Sequence, residues 1–238
     1  MKLKYSKILL KLSGEVFEGE KGYGIDFSKV LDFASEIKDI YDKGVLIGIV
    51  VGGGNIWRFR DFSNVDFLER TDSDMLGMTA TVMNSVVLFS ALKKLGLKAR
   101  VLSAFPCESL VETYNISKAK KYFKDGEILI FAGGTGSPFF TTDSASALRA
   151  LEMECEVLLK ATKVDFVYDK DPLKYKDAKK FESLSFKDVI NKKLGVMDLT
   201  CASLLDESGV SMLVFNLNKK GNIKKAVLGE KIGTIIKN

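Results

Sequence analysis

Short apolar runs alternate with stretches of helical periodicity along this chain, and the run at 45–51, Val-Leu-Ile-Gly-Ile-Val-Val, contains no polar side chain. A strand with one wet face alternates polar and apolar residues, so an unbroken run reads as a strand covered on both sides. Lys7–Leu12 reads as an earlier strand. Residues 26–43 read as a helix that opens on a cap at Asp26 or Ser28. It repeats Val30, Phe33, Ala34, Ile37, Ile40 and Tyr41 at helical spacing and stops at Gly44. A helix at 74–95, a strand at 99–103, a helix at 117–124 and a strand at 127–132 follow. Then come a helix at 143–154, a strand at 157–161, helices at 186–192 and 198–207, and strands at 212–216 and 234–237. Crossovers of this length join parallel strands. The pattern therefore predicts one α/β domain over 1–238, a mainly parallel sheet with helices on both faces. Residues 164–185 form the one long irregular stretch, of a kind that tends to be functional inside a compact domain.

Three of the strands run into glycine turns: Ser13-Gly14, Gly52-Gly53-Gly54-Asn55 and Gly133-Gly134-Thr135-Gly136. In a parallel sheet these turns share the carboxyl edge, where open α/β proteins bind ligands. Glycine lets backbone N–H groups come close to an anion, and the helix that follows adds a favourable dipole. One such turn is ordinary turn chemistry, whereas three on one edge point to a phosphate-rich ligand. No Gly-Lys dipeptide occurs, so there is no Walker-type loop, and no Gly-x-Gly pair has the third glycine of the dinucleotide fingerprint.

The chain of 238 residues has no histidine, which excludes Ser-His-Asp and Cys-His catalysis and histidine as a general base. Three scattered cysteines, Cys107, Cys155 and Cys201, make neither a disulfide framework nor a Cys-x-x-Cys site. Chemistry must then rest on Lys, Arg, Asp, hydroxyls and backbone dipoles. Phosphoryl transfer suits that set, because it needs positioning and charge neutralisation more than proton shuttling. The net charge of +5 is modest, and lysines at 118–124, 170–193 and 219–231 are interleaved with acids. They read as solvated faces rather than a nucleic-acid patch. The run at 45–51 is about a third of a membrane span, and Lys11 interrupts the short apolar segment near the N-terminus. The expectation is a cytoplasmic protein.

Lys11 sits inside Ile8-Leu9-Leu10-Lys11-Leu12, just before a glycine turn. It reads either as an edge-strand lysine facing water or as an ammonium held to neutralise phosphate. Lys160 and Lys163 repeat the pattern less cleanly. Thr141-Thr142-Asp143 reads as a helix cap, a role compatible with anion binding, since both use free N–H groups. Met75, Met78 and Met83 read as core or subunit packing.

Taken together, Lys11-Leu12-Ser13-Gly14, Gly52-Gly53-Gly54-Asn55-Ile56-Trp57-Arg58 and the 78–84 segment resemble the bacterial uridylate kinases of the amino-acid-kinase superfamily. So do residues 134–143, 160–165, 196–199 and 215–216. The resemblance implies the amino-acid-kinase fold, similar to that of carbamate kinases. It also implies transfer of the γ-phosphoryl group of ATP to UMP, giving UDP in pyrimidine nucleotide (CTP/UTP) biosynthesis. It assigns ATP contacts to Lys11, Leu12, Ser13, Gly14, Gly54, Arg58, Thr162, Tyr168 and Asp171. It assigns UMP contacts to Gly53, Asp74, Thr135, Gly136, Ser137, Pro138, Phe139, Phe140, Thr141 and Thr142. Lys11 would stabilise the transferring group, Asp143 would orient Lys11, and Asp198 would lie near the phosphates or Mg²⁺. The Mg²⁺ would ride on the ATP phosphates without direct protein ligands. The family further implies a homohexamer activated by GTP, through a segment like Gly19, Glu20, Lys21, Gly22, Tyr23 and Gly24, and inhibited by UTP. Phe59, Ser137, Phe166 and the stretch 75–79 depart from the family pattern. Two rivals share the fold: a kinase of a carboxylate, carbamate or isoprenoid phosphate, and an oxyanion-storage protein. Residues 139–142 argue against the first, and Lys11, Asp143 and 162–171 against the second.

Overall fold

The computed structural model describes residues 2–19, 22–58, 65–172 and 174–238. Its strands are β1 (Lys7–Leu12), β2 (Leu46–Val51), β3 (Ala99–Ser103), β4 (Glu112–Thr113), β5 (Ile128–Ala132), β6 (Val157–Thr162), β7 (Val167–Tyr168), β8 (Lys180–Phe181), β9 (Ser183–Leu184), β10 (Ser211–Asn216) and β11 (Gly233–Ile236). Nine of them form one sheet in the order β4-β3-β5-β2-β1-β6-β10-β11-β9, with β7 and β8 apart as an antiparallel pair. Every neighbouring pair in the large sheet is parallel except β10 with β11. The expected mainly parallel α/β architecture is what forms.

Helices α1 (Phe27–Tyr41), α2 (Arg70–Lys94) and α7 (Asn222–Leu228) bury their apolar faces on one side of the sheet. Helices α3 (Ile116–Lys124), α4 (Thr142–Glu152), α5 (Phe186–Asn191) and α6 (Leu199–Asp206) cover the other. Alternation along each strand divides its side chains between these two cores. Ile8, Leu10 and Leu12 of β1 pack with α1, while Leu9 packs toward α4. All five residues of β5, Ile128 to Ala132, are buried, as a doubly covered strand requires.

Asp26 caps α1, accepting N–H bonds from Ser28 and Lys29, which settles the choice between Asp26 and Ser28. Helix α2 begins at Arg70, a full turn before the expected start at 74, without a side-chain cap to mark it in the sequence. The irregular stretch 164–185 contains β7, β8 and β9, strands of two residues each and too short for a periodicity. Helix α7, absent from the sequence reading, begins after a Gly221 held at φ +83° with no capping side chain. By length and composition α2 could cross a membrane, a signal the short 45–51 run did not carry. Half of its most apolar window is buried, and the helix packs on α1, β3 and β5.

Candidate active site

Strand β1 is the fifth of nine, so Lys11 is not an edge lysine. Its register partner on β6 is Lys160, and the shared pleat sends both side chains toward the start of α4. There Asp143 takes both: Lys11 Nζ lies 2.9 Å from Oδ1, and Lys160 Nζ hydrogen-bonds Oδ2. Oδ1 is buried, and the Lys11 ammonium is the charge that meets it. Burial pushes the Asp143 carboxyl up, but the two ammoniums outweigh it and hold it down at about 2. Burial pulls the Lys160 ammonium down, with Asp143 opposing. Two cations and one anion leave a surplus positive charge at the carboxyl edge of the sheet. The N-terminus of α4 adds its own partial charge there.

Two cavities lie near this cluster: the larger reaches it at Lys11 and Lys160, and the smaller comes up to Thr142, next to Asp143 in the chain. The larger, about 1300 Å³, is lined by Lys11, Ser13, Lys160, Thr162, Tyr168 and Asp171, among others. The smaller, about 170 Å³, is lined by Gly53, Gly54, Trp57, Asp74, Ser137, Phe140 and Thr142, among others. Of the residues assigned to ATP, the structure brings Lys11, Ser13, Thr162, Tyr168 and Asp171 together. Leu12 turns its side chain into the core, and its carbonyl accepts the Gly52 N–H. Gly14 is buried under the turn after β2: a Cβ there would lie 2.7 Å from Gly54 N and 2.8 Å from Gly52 O. Gly54 lines the smaller cavity, and its carbonyl accepts the Arg58 Nε–H. The Arg58 guanidinium is ion-paired with Glu15 and Glu18.

Of the residues assigned to UMP, Gly53, Asp74, Ser137, Phe140 and Thr142 line the smaller cavity, while Thr135, Gly136, Pro138, Phe139 and Thr141 lie along the loop around it. Because α2 starts at Arg70, Asp74 sits inside its second turn and pairs with Arg70 at 2.9 Å. Its other oxygen accepts the Phe139 N–H at 2.8 Å. Phe139 is 68% exposed and holds φ at +70°, a left-handed conformation that bulky residues rarely adopt. Thr81 fixes the glycine turn after β5, accepting the Gly133 N–H at 2.7 Å. Asp198 caps α6 and reaches across to α4, bonding the Thr141 and Ser144 hydroxyls. It ties two helix starts together and makes no contact with the lysines. Gly24 and Asn55 exchange hydrogen bonds, so the 22–24 segment is tied to the turn after β2, with Tyr23 exposed. Glu20, Lys21 and Phe59 lie outside the described residues. Phe166 lines the larger cavity, its ring 4.6 Å from Lys180 Nζ.

The sequence reading undervalued Lys160, quoted Trp57 in a motif without giving it a role, and passed over Glu15 and Glu18. A signal for Lys160 was present: the triplet Leu-Leu-Lys stands at 9–11 and again at 158–160. Trp57 carried none, since only the fold brings its indole to Ser73, where Nε1 donates to Oγ at 2.9 Å.

The amino acid kinase family model matches residues 6–216. A curated uridylate kinase of Bacteroides thetaiotaomicron is 48% identical over 99% of both chains. The chain belongs to the amino acid kinase family, among its uridylate kinases. In that family, a UMP kinase crystal structure from Bacillus anthracis superposes with a TM-score of 0.94 at 34% identity, covering 98% of this chain and 96% of that one. One from Ureaplasma parvum superposes at 0.93 with 36% identity, covering 99% and 100%.

Proposed function

We propose that this protein transfers the γ-phosphoryl group of ATP to UMP, giving ADP and UDP. The observation that carries the reading is the buried Lys11–Asp143–Lys160 cluster, which the larger cavity reaches at Lys11 and Lys160 and the smaller approaches at Thr142. The relatives' names, uridylate kinase and UMP kinase, supply the acceptor. ATP would occupy the larger cavity, with its nucleoside near Thr162, Tyr168 and Asp171 and its phosphates at Lys11, Ser13 and Gly14. UMP would occupy the smaller one, its ribose at Asp74 and its phosphate near Gly53 and the start of α4.

An oxygen of the UMP phosphate attacks the γ-phosphorus, and the bond to the β–γ bridging oxygen breaks, leaving the charge on ADP. A phosphate monoester is largely ionised at neutral pH, so no general base is required, which suits a chain without histidine. Lys11 stabilises charge on the transferring group, and Asp143 holds Lys11 in place without itself taking a proton. Mg²⁺ would be carried on the donor phosphates and neutralise charge there. Asp143 is engaged by Lys11 and Lys160 and Asp198 by Thr141 and Ser144, so such a cation would be held by the phosphates themselves. Asp198 would hold the first turn of α4 in position for the phosphates.

Beyond the reaction, we propose one catalytic domain over 1–238 that assembles as a homohexamer in the cytoplasm, is activated by GTP and inhibited by UTP, and feeds CTP and UTP synthesis. Support for assembly comes from the exposed Met75, Leu76 and Met83 on α2, an apolar face of the kind subunits cover. A stable monomer by light scattering would refute the assembly, and UMP saturation curves unmoved by GTP or UTP would refute the regulation. Coupled ADP release with UMP, CMP, dUMP and acetylglutamate tests the reaction. UMP should be preferred strongly over CMP, and comparable kcat/KM values for the two would overturn the acceptor assignment.

A further inference from the structure

Along the larger cavity, four charged groups among the described residues form a ring. Arg58 Nη2 stands 2.9 Å from Glu15 Oε1 and 3.3 Å from Glu18 Oε2. Lys163 Nζ stands 2.9 Å from Glu15 Oε2 and 3.0 Å from Glu18 Oε1. Each carboxylate gives one oxygen to each cation, so among these described groups two positive and two negative charges are paired. Glu15 follows β1 in the 3₁₀ turn Gly14–Val16, Arg58 follows β2, and Lys163 follows β6. The ring thus joins three strand ends beside Ser13 and Gly14. Glu15, Glu18 and Lys163 line the cavity, and Arg58 reaches the same carboxylates from the loop after β2. Glu18 is only 9% exposed, and a carboxylate that deep is tolerated when its charge is matched.

We propose that Glu15 and Glu18 set the affinity for the donor nucleotide: they are internal anions that occupy Arg58 and Lys163 until the donor's phosphates displace them. The inference rests on reading the larger cavity as the donor site. A polyphosphate and the two carboxylates compete for the same cations, and the carboxylates repel the incoming charge. A protein whose competent state is only partly populated binds its ligand more weakly by that fraction. While paired, these four groups carry no net charge among themselves, whereas the Lys11–Lys160–Asp143 cluster keeps a surplus positive charge. The ring therefore weakens donor binding without touching the step itself.

The deciding variant is Glu15→Gln, which keeps the side-chain shape and removes one charge at a partly exposed position. ATP binding is measured by calorimetry on the full chain, and KM values for ATP and UMP by coupled assay. Releasing ion pairs of this exposure should tighten ATP binding by about three- to tenfold. KM for ATP should fall with it, and KM for UMP should hold. Raising the salt should shrink the difference between wild type and variant, because the competing interaction is ionic. Glu18→Gln should move ATP affinity the same way; should it fail to fold, Glu15→Gln decides alone. Unchanged or weaker ATP binding in Glu15→Gln overturns the proposal, since the carboxylates would then merely position the cations. A wild type that binds ATP but does not phosphorylate UMP counts against the acceptor reading alone, and the calorimetric comparison still decides the ring. A wild type that binds no ATP overturns both.

Discussion

Lys11 and Lys160 face each other in register across adjacent parallel strands, on the same side of the sheet, and share one carboxylate, Asp143. Like charges opposite one another are unfavourable in a sheet, and Lys160 is 8% exposed, so water screens it little. The arrangement holds because Asp143 bridges both ammoniums. It also leaves one positive charge unmatched, fixed by two central strands at the point where a transferring phosphoryl group would gather negative charge.

Lys11→Met removes that charge while keeping the aliphatic stem. Loss of one preorganised group of this kind in a dehydrated site lowers kcat on the order of 10² to 10³. KM for UMP should stay near normal, the signature of an interaction made at the transition state. Steady-state kinetics of the folded variant check this. A kcat above about a tenth of wild type, a loss well short of that range, would remove the role assigned to Lys11.

Asp143→Asn leaves two buried ammoniums side by side. Breaking a buried charge network from one side destabilises by about 3–5 kcal/mol, measurable by urea unfolding. Adding Lys160→Met should recover part of the loss, because the remaining charge no longer faces a like neighbour. The effect is pH-dependent. Asp143 titrates at about 2 in the fold against an ordinary 3.8, so the unfolded chain binds the proton more readily. Its stabilising contribution, about 2 kcal/mol, is fully present above the ordinary value and is lost as pH falls through the folded one. The stability gap between wild type and Asp143→Asn should therefore narrow progressively from about pH 5 down to about pH 2. A gap that is constant or widens contradicts the assignment.

Two glycines separate the cavities in a testable way. A Cβ on Gly53 would meet Gly77 O at 2.6 Å and the Ala80 side chain at 2.9 Å, so Gly53→Ala pushes α2 from the turn that borders the smaller cavity. KM for UMP should rise more than KM for ATP. A Cβ on Gly14 would meet the backbone of Gly52 and Gly54 at under 3 Å, and backbone cannot give way as a side-chain tip can. Gly14→Ala should lose stability by a few kcal/mol, within the range of overpacked cores, together with ATP binding. Differential scanning calorimetry and the two KM values read the contrast.

Trp57 is the only tryptophan, and its indole lines the smaller cavity with Nε1 bonded to Ser73. UMP entering that cavity should change the tryptophan emission in a saturable way, and adenosine or ATP alone should change it far less. Trp57→Phe abolishes the signal and, by removing the bond to Ser73 next to Asp74, should weaken UMP binding. Emission indifferent to UMP would place the acceptor elsewhere.

Much of the fold was legible because its cues are local. Short apolar runs announced β1, β2 and β5, that of β1 broken by Lys11, and helical spacing with a terminal glycine announced α1; their boundaries agree to within two residues. Helix α2 began a turn early because Glu69 at its N-cap makes no side-chain capping bond to signal the start. The strands between 164 and 185 and helix α7 are too short for a period to emerge.

Around the site the division is sharper. The sequence alone determined that Lys11 stands at a strand end beside a glycine turn and that three such turns share one edge, since strand direction and residue order suffice for that. Whether Lys11 faces water or a buried carboxylate depended on β1 taking the centre of the sheet, which is a matter of strand order. The pairing of Lys11 with Lys160, of Asp74 with the Phe139 N–H, and of Glu15 and Glu18 with Arg58 and Lys163 joins residues up to about 150 positions apart. Charge pairing acts over a few ångströms through space, so only the tertiary packing of the strands could decide which charges meet.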